Sequence, residues 1–243
     1  MTENKWLVPD WPASDNVRSL QTTRLGGVSR APYDSLNLGD HVGDSPLAVA
    51  QNRQRLNRLM PSEPVWLEQV HGTQVINADL AGCKPRGDAA VAHRPGSVCV
   101  VMTADCLPVL LCDASGSVVG AAHAGWRGLC DGVIEATVAA MNTPAETLLA
   151  WLGPAISQPA FEVGEEVRAA FIARNAQAAS AFIPGVDGKW QADIYHLARQ
   201  RLQALGVTQI YGGQHCTYNE AERFFSYRRD GVTGRMGAFI WLE

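Results

Sequence analysis

The sequence predicts a mixed α/β (α+β) fold rather than a doubly wound parallel sheet, and three observations carry the prediction. Apolar runs of strand length recur between segments whose apolar residues keep helical spacing. The two kinds alternate without regular βα units, so many strand pairings must join distant segments. The dinucleotide and triphosphate fingerprints, GxGxxG and GxxxxGKS/T, are absent. The chain has 243 residues, 47% hydrophobic and 18% charged, with no linker, repeat or low-complexity tract. It therefore reads as a single domain spanning 1–243.

Taken in order, Arg18 to Thr23 is a predicted strand closed by the turn glycines Gly26 and Gly27. Ser45 is placed to cap a helix with Pro46 at its first position, ending by Met60-Pro61. Val65 to Gln69 and Gln74 to Asn77 are short strands joined at His71-Gly72. Ser97 to Met102 and Pro108 to Cys112 are buried strands flanking the break at Thr103-Ala104-Asp105-Cys106. Ser117 to Ala122 is a third, ending at His123. Gly125-Trp126-Arg127-Gly128 then leads into one helix with Leu129, Val133, Ile134, Val138 and Met141 on its apolar face. A strand at Thr147 to Leu152 precedes Gly153-Pro154. Helices follow near Glu165–Arg174 and Asp193–Leu205, the latter stopped by Gly206. Strands at Val207–Tyr211 and Ala238–Leu242 complete the chain.

Composition excludes several functions. The net charge is −4 and no run of Lys and Arg forms a basic patch, so nucleic acid is not an expected partner. No apolar stretch is long enough for a membrane span. The N-terminal MTENKWLVPDWP lacks the apolar core of a signal peptide, so a cytoplasmic location is expected. The six cysteines form no CxxC, and in a reducing compartment they read as buried thiols, metal ligands or a nucleophile.

Chemistry concentrates where strands end beside small residues. His71 lies in Gln69-Val70-His71-Gly72, Cys106 in the break after Met102, and His123 before Ala124-Gly125. Two imidazoles and a thiolate suit zinc, with a fourth position left for water or substrate. The same atoms serve a metal-free reading, with Cys106 as nucleophile, His123 as base and Asp105 as orienting acid. Spacing does not separate the two.

The blocks EQVHG at Glu68–Gly72, MTADCLPVLL at Met102–Leu111, HAGWRGL at His123–Leu129 and FFSYRRD at Phe224–Asp230 together resemble the YfiH family. TTRLGGVS, SLNLGDH at Ser35–His41 and WLGPAI at Trp151–Ile156 extend the resemblance, in the same order, from about residue 5 to the C-terminus. It implies a four-layer α/β/β/α sandwich with mixed sheets, related to a toxin-type cysteine hydrolase fold. It also implies zinc held by His71, Cys106 and His123, with copper able to take the same ligands. Within the family blocks, Arg24, Asn37, Gln69 and Arg127 are candidate substrate-binding residues. Arg127 is the candidate for phosphate beside a helix N-terminus.

Members of the family have been named polyphenol oxidase, purine nucleoside phosphorylase and peptidoglycan editing factor. A true multicopper laccase is not expected, because six histidines include no His-x-His pair for a trinuclear cluster. The reading implied first is zinc-dependent phosphorolysis of adenosine, inosine, guanosine or methylthioadenosine, with adenosine deaminase activity beside it. Others are an editing hydrolase that removes L-serine from a UDP-muramoyl precursor, and a metal-free Cys106/His123 hydrolase. All take a small-molecule substrate.

Overall fold

Two β-sheets pack face to face and each carries helices on its outer side. The computed structural model describes residues 6–243. Met1 to Lys5, the start of the segment read as lacking a leader, lie outside the described residues.

The first sheet has four antiparallel strands in the order β1 (Trp6–Leu7), β2 (Val17–Thr22), β13 (Met236–Leu242) and β5 (Val98–Thr103). The second is mixed and six-stranded. It runs β12 (Gln209–Gly212), β8 (Leu148–Leu152), β6 (Leu107–Asp113), β7 (Val119–Ala124), β4 (Ala89–Ala92) and β3 (Val75–Asn77). Its outermost pairs, β12–β8 and β3–β4, are parallel, and the inner pairs are antiparallel. A small third sheet joins β9 (Glu162–Val163), β10 (Phe182–Pro184) and β11 (Trp190–Ala192).

Period-two alternation explains the layers, because successive side chains of a strand face opposite ways. In β6, Leu107, Val109 and Leu111 face the helices, whereas Leu110 and Cys112 face the other sheet. In β13, Ala238, Ile240 and Leu242 fill the space between the sheets. Phe239 and Trp241 point outward onto α1 (Pro46–Asn57) through Leu56. The far layer contains α2 (Trp126–Asp131), α3 (Val133–Met141), α4 (Glu165–Arg174) and α5 (Ile194–Ala204), packed on the second sheet. The order is α/β/β/α, as the family resemblance implied. With apolar side chains on both faces, β5 through β7 read as continuous hydrophobic runs.

Several elements differ from the sequence reading. Val65 to Gln69 is not a strand: it makes only isolated bridges, Val65 with Cys99 and Glu68 with Arg86, because Pro64 and the turn at His71 interrupt a ladder. The single helix after Gly125 is two, α2 and α3, divided at Gly132, whose φ of 105° suits glycine and breaks the helical run. Ser45 stands at the N-cap of α1 but makes no side-chain cap; Asp193 does cap α5, accepting the His196 N–H at 2.9 Å. The third central strand runs through His123 to Ala124, and β4 had no counterpart in the sequence reading. Among the described residues no helix is long and apolar enough to cross a membrane.

Candidate metal centre

Three chain segments meet at one end of the space between the sheets. His123 is the penultimate residue of β7 and pairs with Pro108 of β6, which places it on the face that carries Ala121. Cys106 precedes β6, in a turn where Asp105 takes φ 93°. His71 comes from the loop before β3 and has φ 61°. Left-handed backbone is uncommon for residues with a β-carbon, and two such residues in the loops that aim Cys106 and His71 mark tertiary contacts that over-determine them.

The result is a cluster in which one ligand atom from each of His71, Cys106 and His123 lies within 4.8 Å of the other two. The Cys106 Sγ to His71 Nε2 distance is 3.8 Å, and the two imidazole centroids are 4.8 Å apart. Tetrahedral zinc bonds to nitrogen and sulfur require ligand atoms about 3.6 Å apart, so this donor set fits a small N/S-loving cation with little adjustment. It is the one such group among the described residues.

Asp88, which the sequence reading missed, organises the cluster. It is fully buried, one residue before β4. Its carboxylate accepts the His123 Nδ1–H at 2.9 Å and the backbone N–H groups of Val70, His71 and Gly72 at 3.1, 2.8 and 2.7 Å. Accepting from Nδ1–H fixes the tautomer of His123 and leaves Nε2 as the ligand nitrogen, the usual carboxylate–histidine support of a metal site. Burial pushes the Asp88 carboxyl up, but these donors outweigh it and hold the pKa low. Burial likewise raises the Cys106 thiol, yet the His123 charge and hydrogen bonds from both histidines bring it down to about 6. Burial lowers His123, but the Cys106 thiolate and Asp88 hold it up at about 9. Each group thus favours the charged form of the other, the imidazole lowering the thiol and the thiolate raising the imidazole.

The glycines of His123–Leu129 have a steric purpose. A β-carbon on Gly125 would lie 2.8 Å from His71 Cδ2 and 3.0 Å from Cys106 Sγ, and one on Gly128 would lie 2.8 Å from the Gly72 carbonyl oxygen. Only glycine lets α2 begin this close to the His71 loop.

The cluster opens on a cavity of about 380 Å³ whose walls include His41, Gln69, Thr103, Tyr227 and Arg235. Gln69 lies on the wall with its amide engaged: it donates to the Met102 carbonyl at 2.8 Å and accepts the Met102 N–H at 2.7 Å. The other candidates lie elsewhere or are engaged. Arg24 clamps a loop, donating to the Asp34 and Ala221 carbonyls at 2.9 Å each and stacking over Phe225. Asn37 is fully buried and bonds to Gly39, Asp44 and the Arg235 N–H. Arg127 is exposed and lies over Trp126. Neither Arg24, Asn37 nor Arg127 lines the cavity. The Asp105 carboxylate accepts the Thr217 hydroxyl at 2.6 Å and the Arg228 N–H at 2.7 Å, tying the segment around α6 (Tyr227–Asp230) to the turn that carries Cys106. Arg235 escaped the sequence reading because a single basic residue before a strand carries no periodic or motif signal. His41 was read only as the end of the Ser35–His41 block.

A His/Cys/His donor set at the end of a four-layer α/β/β/α sandwich, opening on a cavity of ligand size, defines an α/β protein with a candidate transition-metal centre. The chain belongs to the family described as multi-copper polyphenol oxidoreductase laccase, whose model matches residues 18–243. Relatives of nearly full length carry another name. A Pseudomonas aeruginosa protein named purine nucleoside phosphorylase is 56% identical over 241 residues, covering 99% of each chain. The Escherichia coli purine nucleoside phosphorylase YfiH is 58% identical over 244 residues, covering 98% of this chain and 99% of its own. Among solved structures, a Neisseria meningitidis protein superposes with a TM-score of 0.96 at 52% identity, covering 99% of this chain and 100% of its own. YlmD from Geobacillus stearothermophilus does so with 0.89 at 30% identity, covering 100% and 98%. The YfiH resemblance read from the sequence blocks is thereby confirmed. With such relatives, the protein is an enzyme.

Proposed function

We propose that the protein is a zinc-dependent purine nucleoside phosphorylase acting on adenosine, inosine, guanosine and methylthioadenosine, with adenosine deamination as a side activity of the same site. The observation that carries the reading is the His71/Cys106/His123 cluster on a cavity of about 380 Å³, in a chain whose full-length relatives bear that name. That volume is of the size small-ligand pockets have. In the reaction a phosphate oxygen bonds to the anomeric carbon as the bond from that carbon to the purine nitrogen breaks. The electron pair leaves with the purine, which takes up a proton, and the products are the sugar 1-phosphate (ribose 1-phosphate, or its 5-methylthio form from methylthioadenosine) and free base.

Zinc held by His71, Cys106 and His123 would supply Lewis acidity to a bound oxygen or purine atom. The protein's own groups do the rest. Asp88 holds the His123 imidazole and the backbone of the His71 loop in place before substrate arrives, so little reorganisation accompanies reaction. Tyr227, 60% exposed at the rim, offers a ring face to a base. Gln69, bonded to Met102 on both sides, fastens that wall of the cavity to β5. Asp105 acts as a positioning residue, since its carboxylate is occupied by Thr217 and Arg228.

A second reading is a metal-free hydrolase with Cys106 as nucleophile and His123 as base, favoured by the lowered thiol pKa. One experiment separates the readings: turnover by metal-quantified protein, with and without phosphate, on adenosine, inosine and a UDP-muramoyl-L-serine precursor. Phosphate-dependent base release with one zinc per chain supports phosphorolysis. Activity that survives complete metal removal supports the thiol reading, and serine release without phosphate moves the assignment to precursor editing.

A further inference from the structure

We propose that Arg235 and Thr103 form the subsite that holds inorganic phosphate in the cavity of the His71/Cys106/His123 cluster. The identity of the anion rests on the phosphorolysis reading; the existence of an oxyanion subsite does not.

Arg235 lines the cavity and has no carboxylate partner among the described residues. Its Nη1 donates to the Thr233 and Gly234 carbonyls at 3.1 and 3.0 Å, which braces the group from behind. Its Nε and Nη2 make no hydrogen bond to any described residue, leaving one edge of the guanidinium fork free. A partly buried cation with a free fork is a ready receptor for a tetrahedral oxyanion.

Thr103 is an independent sign of a ligand. It is 2% exposed, lines the same cavity, and its Oγ1 is buried with no hydrogen-bond partner. Buried hydroxyls are nearly always paired, so this one lacks a partner that the protein does not supply. The β5–β13 register pairs Thr103 with Met236, so Arg235 is the next residue along from Thr103's cross-strand neighbour. Both residues line the cavity, Arg235 with a free guanidinium edge and Thr103 with an unpaired buried hydroxyl.

The surroundings seat Arg235 with care that a solvated surface arginine does not need. Asn37 Oδ1 accepts the Arg235 N–H at 2.8 Å, and the Leu38 N–H donates to the Arg235 carbonyl at 3.1 Å. A β-carbon on Gly39 would fall 2.8 Å from Arg235 Cγ. Three successive residues of the Ser35–His41 block therefore fix the backbone and stem of this one side chain. His41 also lines the cavity; its Nδ1 lies 3.5 Å from Asp40, and burial together with the Arg235 charge holds its pKa down, so it faces the cavity as a neutral imidazole.

The test uses full-length, zinc-loaded protein. In Arg235→Gln the KM for phosphate rises at least about tenfold, while zinc per chain and the KM for inosine stay unchanged; Arg235→Lys recovers part of the loss. Thr103→Val, which keeps the shape and removes the hydroxyl, raises the phosphate KM by a smaller factor. Equilibrium dialysis of labelled inorganic phosphate without nucleoside gives the second readout. Binding by the parent protein that is lost in Arg235→Gln supports the subsite even if no phosphorolysis occurs. Phosphorolysis with an unchanged phosphate KM in both variants overturns the subsite and leaves the function standing. Loss of zinc in Arg235→Gln also overturns it, because Arg235 would then serve to balance the Cys106 thiolate.

Discussion

Asp88 Oδ1 lies 2.9 Å from His123 Nδ1, and the same buried oxygen accepts the backbone N–H of His71 at 2.8 Å. One carboxylate therefore sets the tautomer of one imidazole and the position of the loop that delivers the other. The link spans segments far apart in the chain, so the two histidines are held in register even where the loop is exposed.

Asp88→Asn keeps the size of the side chain and removes the charge and one acceptor. Zinc affinity should fall about 10- to 100-fold, read by competition with a chromophoric chelator. Unchanged affinity would show that the histidines hold their positions without this support.

Cys106→Ala removes the only sulfur of the donor set. Bound zinc should fall well below one per chain by elemental analysis, with the circular dichroism spectrum unchanged. Retention of one zinc per chain would place the metal elsewhere.

In metal-free protein the Cys106 thiol is acidic, because the His123 charge outweighs burial. A thiol becomes reactive as it deprotonates, so alkylation by iodoacetamide should rise through about pH 6 and level off by neutral pH. Cys112, which burial pushes up to about 12, should stay inert throughout. Peptide mass spectrometry across a pH series reads both sites, and a Cys106 midpoint above pH 8 would contradict the ion pair.

Gly125→Ala places a methyl group against His71 and Cys106. The chain should fold with a loss of about 1–3 kcal/mol in denaturant melts. Zinc affinity should drop by more than about tenfold, as the ligand atoms are forced apart. Equal zinc affinity would mean that the His71 loop yields at little cost.

Much of this protein is legible in its residues taken in order. The buried runs at β5, β6 and β7 and the helices near Glu165–Arg174 and Asp193–Leu205 follow from apolar periodicity and short-range stop signals, which need no distant partner. His71, Cys106 and His123 could be nominated because ligand chemistry depends on residue type and their sequence blocks resemble a known family. The misses share one cause. Asp88 precedes a four-residue alanine-rich strand and gives no local sign that its carboxylate will reach four donors from two segments. Asn37 and Arg24 look like polar loop residues open to a ligand, yet long-range hydrogen bonds occupy both.

By itself, then, the sequence determined most element types, the mixed fold class and the metal-capable side chains, since these are set by side-chain chemistry and by neighbours within a few positions. Only the tertiary structure decided that Asp88 governs the cluster, that Gly125 must lack a β-carbon, and that Arg235 rather than Arg127 faces the cavity. Those outcomes depend on which distant backbones approach within hydrogen-bond or van der Waals distance, and that is known only once the two sheets have packed.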